Sequence, residues 1–217
     1  RVAWTSGADR VRLRSTCTLK QSVRYGVVGT GMMGLEHIRN LQALEGAEIV
    51  SVCDSETSSL DAARALVGRN AAAFSDHRDL LAHGECDALI IATPNMTHLE
   101  VLLDTIEARV PALVEKPLCT TVADCQRVLE AADAKALIWV GLEYRYMPPI
   151  AALIEKVQSG AVGPVRMVAI REHRFPFLHK VNNWNRFNAN TGGTLVEKCC
   201  HFFDLMHLIT QAKPIRV

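Results

Sequence analysis

Apolar residues follow two rhythms along this chain. Short β-branched runs with little polar alternation occur near residues 25–29 ("YGVVG"), 48–53 ("EIVSVC"), 88–92 ("ALIIA"), 112–115 ("ALVE") and 137–141 ("LIWVG"). Helix-length amphipathic segments lie between and beside them, near 32–44, 57–67, 77–83, 97–108 and 121–133. Runs without alternation imply strands covered on both faces, and strand, helix, strand succession requires a parallel sheet joined by crossover helices. The pattern therefore predicts an α/β domain with a doubly wound parallel sheet over residues 24–142. "YMPP" at 146–149 breaks the rhythm; a helix (149–158), a long strand (164–174), a polar loop (175–191) and a helix (193–210) are expected after it. These define a second, α+β domain over residues 143–217, while the basic, helix-poor stretch 1–23 reads as a disordered or extraneous leader.

The first strand runs straight into "GVVGTGMMG", which sets Gly29, Gly31 and Gly34 in the spacing G-x-G-x-x-G at the start of a helix, with Thr30, Met32 and Met33 between them. The first glycine permits a tight turn, the second lets a pyrophosphate approach the backbone, and the third lets helix and strand pack closely. Free amides at the helix N-terminus then face phosphate charge. Asp54 ends the second strand, 20 residues beyond Gly34, where a carboxylate can accept hydrogen bonds from the adenosine ribose of a dinucleotide. It serves equally as a cap for the helix that follows. A carboxylate there repels a ribose 2′-phosphate, and Ser55 and Glu56 supply no cation, so NAD is preferred to NADP.

Composition narrows the class further. Charge is nearly balanced at +1 and 49% of residues are hydrophobic, with no basic excess that would suit nucleic acid or a membrane surface. The longest apolar runs, "DALIIATP" and "ALIWVGL", have strand length and cannot span a bilayer. Seven cysteines, odd in number and scattered, form no disulfide framework, and a reducing, cytoplasmic setting is the simpler expectation. The dense stretch "EKCCHFFD" (197–204) raises the question of a metal, a redox pair or proton chemistry. Adjacent thiols on a helix diverge by about a quarter-turn and no CxxC completes a tetrahedral set, so no metal is expected and Cys199 and Cys200 read as packed thiols.

"EKP" (115–117) closes the fourth apolar run, "ATPNMTH" (92–98) closes the third, and "YRY" (144–146) and "GGTLVEKCCHFFDL" (192–205) follow. Together with the glycine turn, these motifs resemble the Gfo/Idh/MocA oxidoreductases, and within them the inositol and sugar dehydrogenases, over residues 24 to 217. The resemblance implies a Rossmann domain followed by a substrate domain with an open, mostly antiparallel sheet, through whose outer face subunits associate. It implies that Lys116, beside Glu115, sits by the nicotinamide and hydrogen-bonds the reacting hydroxyl. Thr93, Pro94, Asn95 and His98 would form the loop under the nicotinamide ribose. His201 would be the general base, since imidazole titrates near neutral pH at about 6.5. Glu197, where the family usually has Asp, would share one helix face with His201 four residues on and orient substrate or imidazole. Lys198 and Cys199 replace the small or apolar residues common in the family.

Each assignment has a plainer rival: Lys116 as a solvated charge, His201 as a core histidine beside Phe202 and Phe203. Tyr144 and Arg145 read equally as hinge packing or as cleft lining. The loop "RFPFLHKVNNWNRFNANTGG" supplies Trp184, Asn185 and Arg186, amides and an aromatic face suited to a polyol or sugar, or else a solvated connection. A dehydrogenase acting on a secondary alcohol is the expected function; the alternatives are a non-catalytic dinucleotide-binding regulator on the same fold and an NAD-dependent glycosidase. Family members are longer than this chain, and its final "KPIRV" reads as the start of another strand, so an incomplete second domain is expected.

Overall fold

A computed structural model describes residues 22–133, 136–176 and 178–216. The expected leader lies almost wholly outside these residues, and the first strand begins at Val23. Six strands form one sheet: β1 (Val23–Val28), β2 (Ala47–Cys53), β3 (Ala72–Phe74), β4 (Ala88–Ile91), β5 (Ala112–Glu115) and β6 (Ile138–Gly141). Their order is β3-β2-β1-β4-β5-β6 and every neighbouring pair is parallel. The crossovers are α1 (Met32–Gln42), α2 (Thr57–Val67), α3 (His77–His83), α4 (His98–Glu107) and α5 (Val122–Ala131).

Successive strand residues point to opposite faces, so helices on both faces require apolar residues at every position. Val27 and Val28 show this directly. Val27 packs with Ile38, Val52, Leu60 and Ala63 beneath α1 and α2, whereas Val28 packs with Leu89, Ile91, Leu102 and Val114 on the other face. Each such aliphatic side chain contributes about 1.5–3 kcal/mol on burial, which makes the sheet a rigid platform. The chain leaves the sheet in opposite directions after β1 and β4. The crevice opened there, at the carboxyl ends of the strands, is where ligands of open α/β sheets bind.

Three elements depart from the sequence expectation. β3 is an additional strand, and at three residues it is too short to produce a periodic signal. The long strand expected over 164–174 is absent: the segment carries no strand assignment, and no described segment lies alongside as a ladder partner. The expected helix 193–210 is broken into α8 (Thr194–Glu197) and α9 (Cys200–Thr210). At the break the Cys199 amide donates to Thr194 O, five residues back, which inserts one extra residue into the turn.

Between β6 and α8 come a 3₁₀ turn at Glu143–Tyr146, α6 (Pro148–Gln158) with proline in its first turn, a kinked 3₁₀ stretch at Val181–Arg186, and α7 (Asn188–Thr191). Arg145 Nε donates to Asp204 Oδ2 at 2.9 Å, fastening the turn after β6 to α9. This brings the last helix back over the carboxyl end of the sheet.

Candidate active site

The glycine turn divides its labour in space. Gly29 has φ +87°, and a Cβ there would stand 2.4 Å from Thr93 N, so turn and β4 loop touch backbone to backbone. A Cβ on Gly34 would stand 1.9 Å from Gly29 O, which lets α1 lie directly on the turn. A Cβ on Gly31 would meet nothing within 4 Å. Gly31 is also the N-cap of α1 and receives no side-chain cap, so the first amides of this eleven-residue helix are left for an anion on the open side.

Asp54 holds the turn from the neighbouring strand. Its Oδ2 accepts from Thr30 N at 2.7 Å and from Thr30 Oγ1 at 3.2 Å, and its Oδ1 accepts from Glu56 N at 2.9 Å. Thr30 is thereby fully buried behind the turn instead of facing the cleft. An ionised carboxylate has about four acceptor sites, so these three bonds leave capacity for a further donor.

A cleft of about 660 Å³ runs from this turn across the carboxyl ends of the strands to α8 and α9. Its walls include Gly29, Gly31, Met32, Met33 and Asp54 at one end, Thr93, Pro94, Asn95, Glu115 and Lys116 in the middle, and Tyr144, Trp184, Asn185, Glu197 and His201 at the other. Thr93 Oγ1 and Asn95 Nδ2 are buried on the middle wall with no hydrogen-bond partner among the described residues. Orphaned polar atoms beside an uncrowded glycine amide are the features a dinucleotide would satisfy.

Several expected site residues lie elsewhere. His98 is fully buried behind its loop, with Nδ1 2.8 Å from Pro117 O and Nε2 3.1 Å from Thr93 O. Burial pushes its pKa down despite these carbonyls, so the ring is neutral, with a single N–H that donates to one carbonyl while the other nitrogen packs against the second, a strut between two loops of the cleft wall. Gly34 and Thr30 support the turn from behind. Arg145 is held by Asp204 in an ion pair and is not on the wall, and neither is Arg186.

Lys116 Nζ donates to the Glu197 carbonyl at 3.3 Å, joining the end of β5 to α8. Glu115 beside it bonds His37 Nε2 at 2.7 Å. Burial pushes the Glu115 carboxyl up, but the His37 bond, with the charges of His37 and Lys116, outweighs it and leaves the group below its ordinary range. The extra residue at the α8–α9 break removes the simple i, i+4 relation expected of Glu197 and His201, although both line the cleft.

His201 is 2% exposed and its pKa is pushed down to about 4, first by burial and then by the charges of Lys116 and Lys198. This corrects the expectation of a near-neutral imidazole, which took no account of burial. Its Nδ1 is buried without a partner among the described residues, its Nε2 lies 3.6 Å from Glu143 Oε1, and Tyr144 stacks on the ring.

Glu143, Lys180 and Lys198 line the cleft and were missed as candidates. Lys198 stands inside the same dense motif as Glu197 and His201, which was the available signal. Lys180 is pushed below its ordinary range by burial and by Lys116. Cys199 and Cys200 are free thiols, and among the described residues no three His, Cys, Asp or Glu side chains converge as metal ligands. No helix among them is long and apolar enough to cross a membrane.

The family model described as the oxidoreductase family, NAD-binding Rossmann fold, matches residues 23–143, and that of the family's C-terminal alpha/beta domain matches 154–217. The inositol 2-dehydrogenase of Acidothermus cellulolyticus is 35% identical over 201 residues, 90% of this chain and 56% of its own length. Inositol 2-dehydrogenase 1 of Saccharopolyspora erythraea is 30% identical over 199 residues, 90% of this chain and 57% of its own. Among solved structures, myo-inositol dehydrogenase from Lactobacillus casei in complex with NAD(H) and myo-inositol superposes with a TM-score of 0.72 at 27% identity, covering 88% of this chain and 55% of that one. The chain thus spans little more than half the length of these relatives. With both domain models matched in order, and the glycine turn, Lys116 and His201 gathered on one cleft, the chain belongs to the Gfo/Idh/MocA oxidoreductase family.

Proposed function

We propose that this protein is an NAD-dependent dehydrogenase that oxidises a secondary alcohol of a polyol of the inositol class. The observation that carries the reading is the convergence of Lys116, from the end of β5, and His201, from α9, on the cleft that opens at Gly31. NAD, when bound, supplies the hydride acceptor. The amides at the start of α1 would hold its pyrophosphate, Asp54 its adenosine ribose, and Thr93 and Asn95 its nicotinamide end. The Asp54 carboxylate favours NAD over NADP because it repels a 2′-phosphate.

The chain's own residues then manage a proton and a developing charge. Lys116 Nζ, free to exchange its long bond to the Glu197 carbonyl, hydrogen-bonds the substrate oxygen and stabilises negative charge there. His201 is in its neutral form throughout the physiological range, so Nε2 can accept the hydroxyl proton, and Glu143 at 3.6 Å stabilises the imidazolium that results. Trp184, Tyr144 and Asn185 offer ring faces and an amide to a hydroxylated ring. The six described cysteines are free thiols, which supports a reducing, cytoplasmic setting.

Titration with NAD and NADP, followed by reduced-cofactor absorbance with inositols and aldoses, tests the reading. Lys116→Ala and His201→Ala are expected to keep NAD binding and to lose turnover by roughly 10²- to 10⁴-fold. Absence of NAD binding overturns the cofactor site; binding without turnover of any polyol by the parent protein favours a regulatory relative.

A further inference from the structure

Lys198 is a cleft cation whose role the proposed reaction leaves unexplained. Its side chain is only 9% exposed and its Nζ lies 3.0 Å from Glu172 Oε1. It also donates to the phenol oxygen of Tyr144, which in turn donates to the same Glu172 oxygen at 2.7 Å. The three groups form a closed ring of polar contacts, the arrangement a buried ammonium needs if it is not to be a net cost. The ammonium stands 4.3 Å from the centre of the Tyr144 ring as well.

The other side of the story is His201. Its imidazole makes no hydrogen bond among the described residues: Nδ1 is buried and unpartnered, and the nearest carboxylate oxygen is 3.6 Å from Nε2. What fixes its plane is Tyr144, whose ring lies parallel to it, 10° apart with centroids at 4.1 Å. What fixes Tyr144 is Lys198 with Glu172. We infer that Lys198 is a positioning residue for His201, acting through the phenol of Tyr144, which it anchors flat against the imidazole.

Charge acts in the same direction as geometry. The groups that bear on the imidazole are Lys116 and Glu115 at the end of β5, Glu143 and Tyr144 after β6, Asp204 of α9 paired with Arg145, and Lys198 itself. Lys198 is one of the two cations that keep the ring unprotonated, so removing it both loosens the stack and eases protonation.

The inference rests on the reading of His201 as proton acceptor only for its kinetic consequence; the structural claim has its own readout. The proton NMR titration of His201 is followed in the whole chain, assigned by loss of its signal in His201→Gln. Lys198→Met is expected to raise the midpoint by about one pH unit and to shrink the ring-current shift that Tyr144 imposes on the imidazole protons. Tyr144→Phe, which keeps the ring and removes only the anchored hydroxyl, is expected to shrink the ring-current shift too, and the double variant to shrink it little further than either single one. An unchanged midpoint and ring-current shift in a folded Lys198→Met, or ring-current effects strictly additive with those of Tyr144→Phe, would overturn the inference. If the dehydrogenase reading holds, the pH profile of kcat/KM in Lys198→Met moves up with the NMR midpoint; a raised KM with an unmoved profile makes Lys198 a direct substrate contact and overturns the positioning role. Failure of all turnover leaves the NMR result to decide.

Discussion

Two glycines three positions apart in the same motif should fail in opposite ways when given a methyl group. In Gly34→Ala the new Cβ would sit 1.9 Å from Gly29 O. Ordinary contacts begin near about 3.5 Å, so α1 and the turn must separate by about 1.5 Å. Both partners are backbone, and no flexible side chain can yield. Overpacking that moves backbone costs about 3 kcal/mol or more. With a urea m-value of about 2 kcal/mol/M, the unfolding midpoint should drop by about 1.5 M. Gly31→Ala differs at each step, because its φ of −66° suits any residue and its Cβ would touch nothing within 4 Å. Its midpoint should move by no more than about 0.5 M, while NAD affinity, measured by calorimetric titration, should fall at least tenfold, about 1.4 kcal/mol. Equal destabilisation of both variants, or Gly31→Ala binding NAD as tightly as the parent, would refute the idea that Gly31 alone leaves space for the pyrophosphate.

Further outcomes follow from the same geometry. His201 has its folded pKa near 4, below the unfolded value of about 6.5, so the unfolded state binds more protons between those limits and stability falls as pH falls from about 6.5 to 4. The loss is about 3 kcal/mol over that window; the stability difference between the parent and His201→Gln, from urea unfolding at each pH, should shrink by that amount, and pH-independence of the difference would contradict a buried neutral imidazole. His98→Ala empties a fully buried site between Thr93 O and Pro117 O and removes the N–H that one of these carbonyls accepts, and should lower stability by about 2–4 kcal/mol in thermal unfolding; an unchanged Tm would deny the strut. Asp54→Asn, which keeps one acceptor for Thr30 but removes the charge, should move the NAD-to-NADP ratio of dissociation constants about tenfold toward NADP, and an unmoved ratio would take Asp54 out of cofactor selection.

Most of the sheet was legible because its strands are buried on both faces. Val27, Val28, Ile90 and Ile91 need apolar character at every position, and the runs they form stand out from the amphipathic helices between them. β3 was not legible, since three residues hold no period and its pairing with β2 is what makes it a strand. The expected strand at 164–174 failed for the complementary reason: strand-like residue content is a property of the segment, but a ladder belongs to two segments. In the site, the glycine turn, Asp54 and Lys116 were readable because each sits at a strand end that the fold's parallel winding brings to one edge. For Arg145 and His98 the residue type left the choice open, because each suits a ligand as well as it suits Asp204 or a loop carbonyl, and in the structure both bond to the protein.

The amino-acid order alone therefore determined the doubly wound sheet, the dinucleotide turn and the residue types gathered in the last motif, all of which are local patterns of spacing and polarity. Which of those side chains face the cleft, which serve as struts behind it, and how far the His201 pKa falls were decided only by tertiary structure. Orientation and desolvation depend on neighbours distant in the chain: Lys116 lies 3.3 Å from the Glu197 carbonyl, and Lys198 reaches the phenol that covers His201. One extra residue in the turn before Cys200 was enough to undo a helical relation that spacing alone had implied.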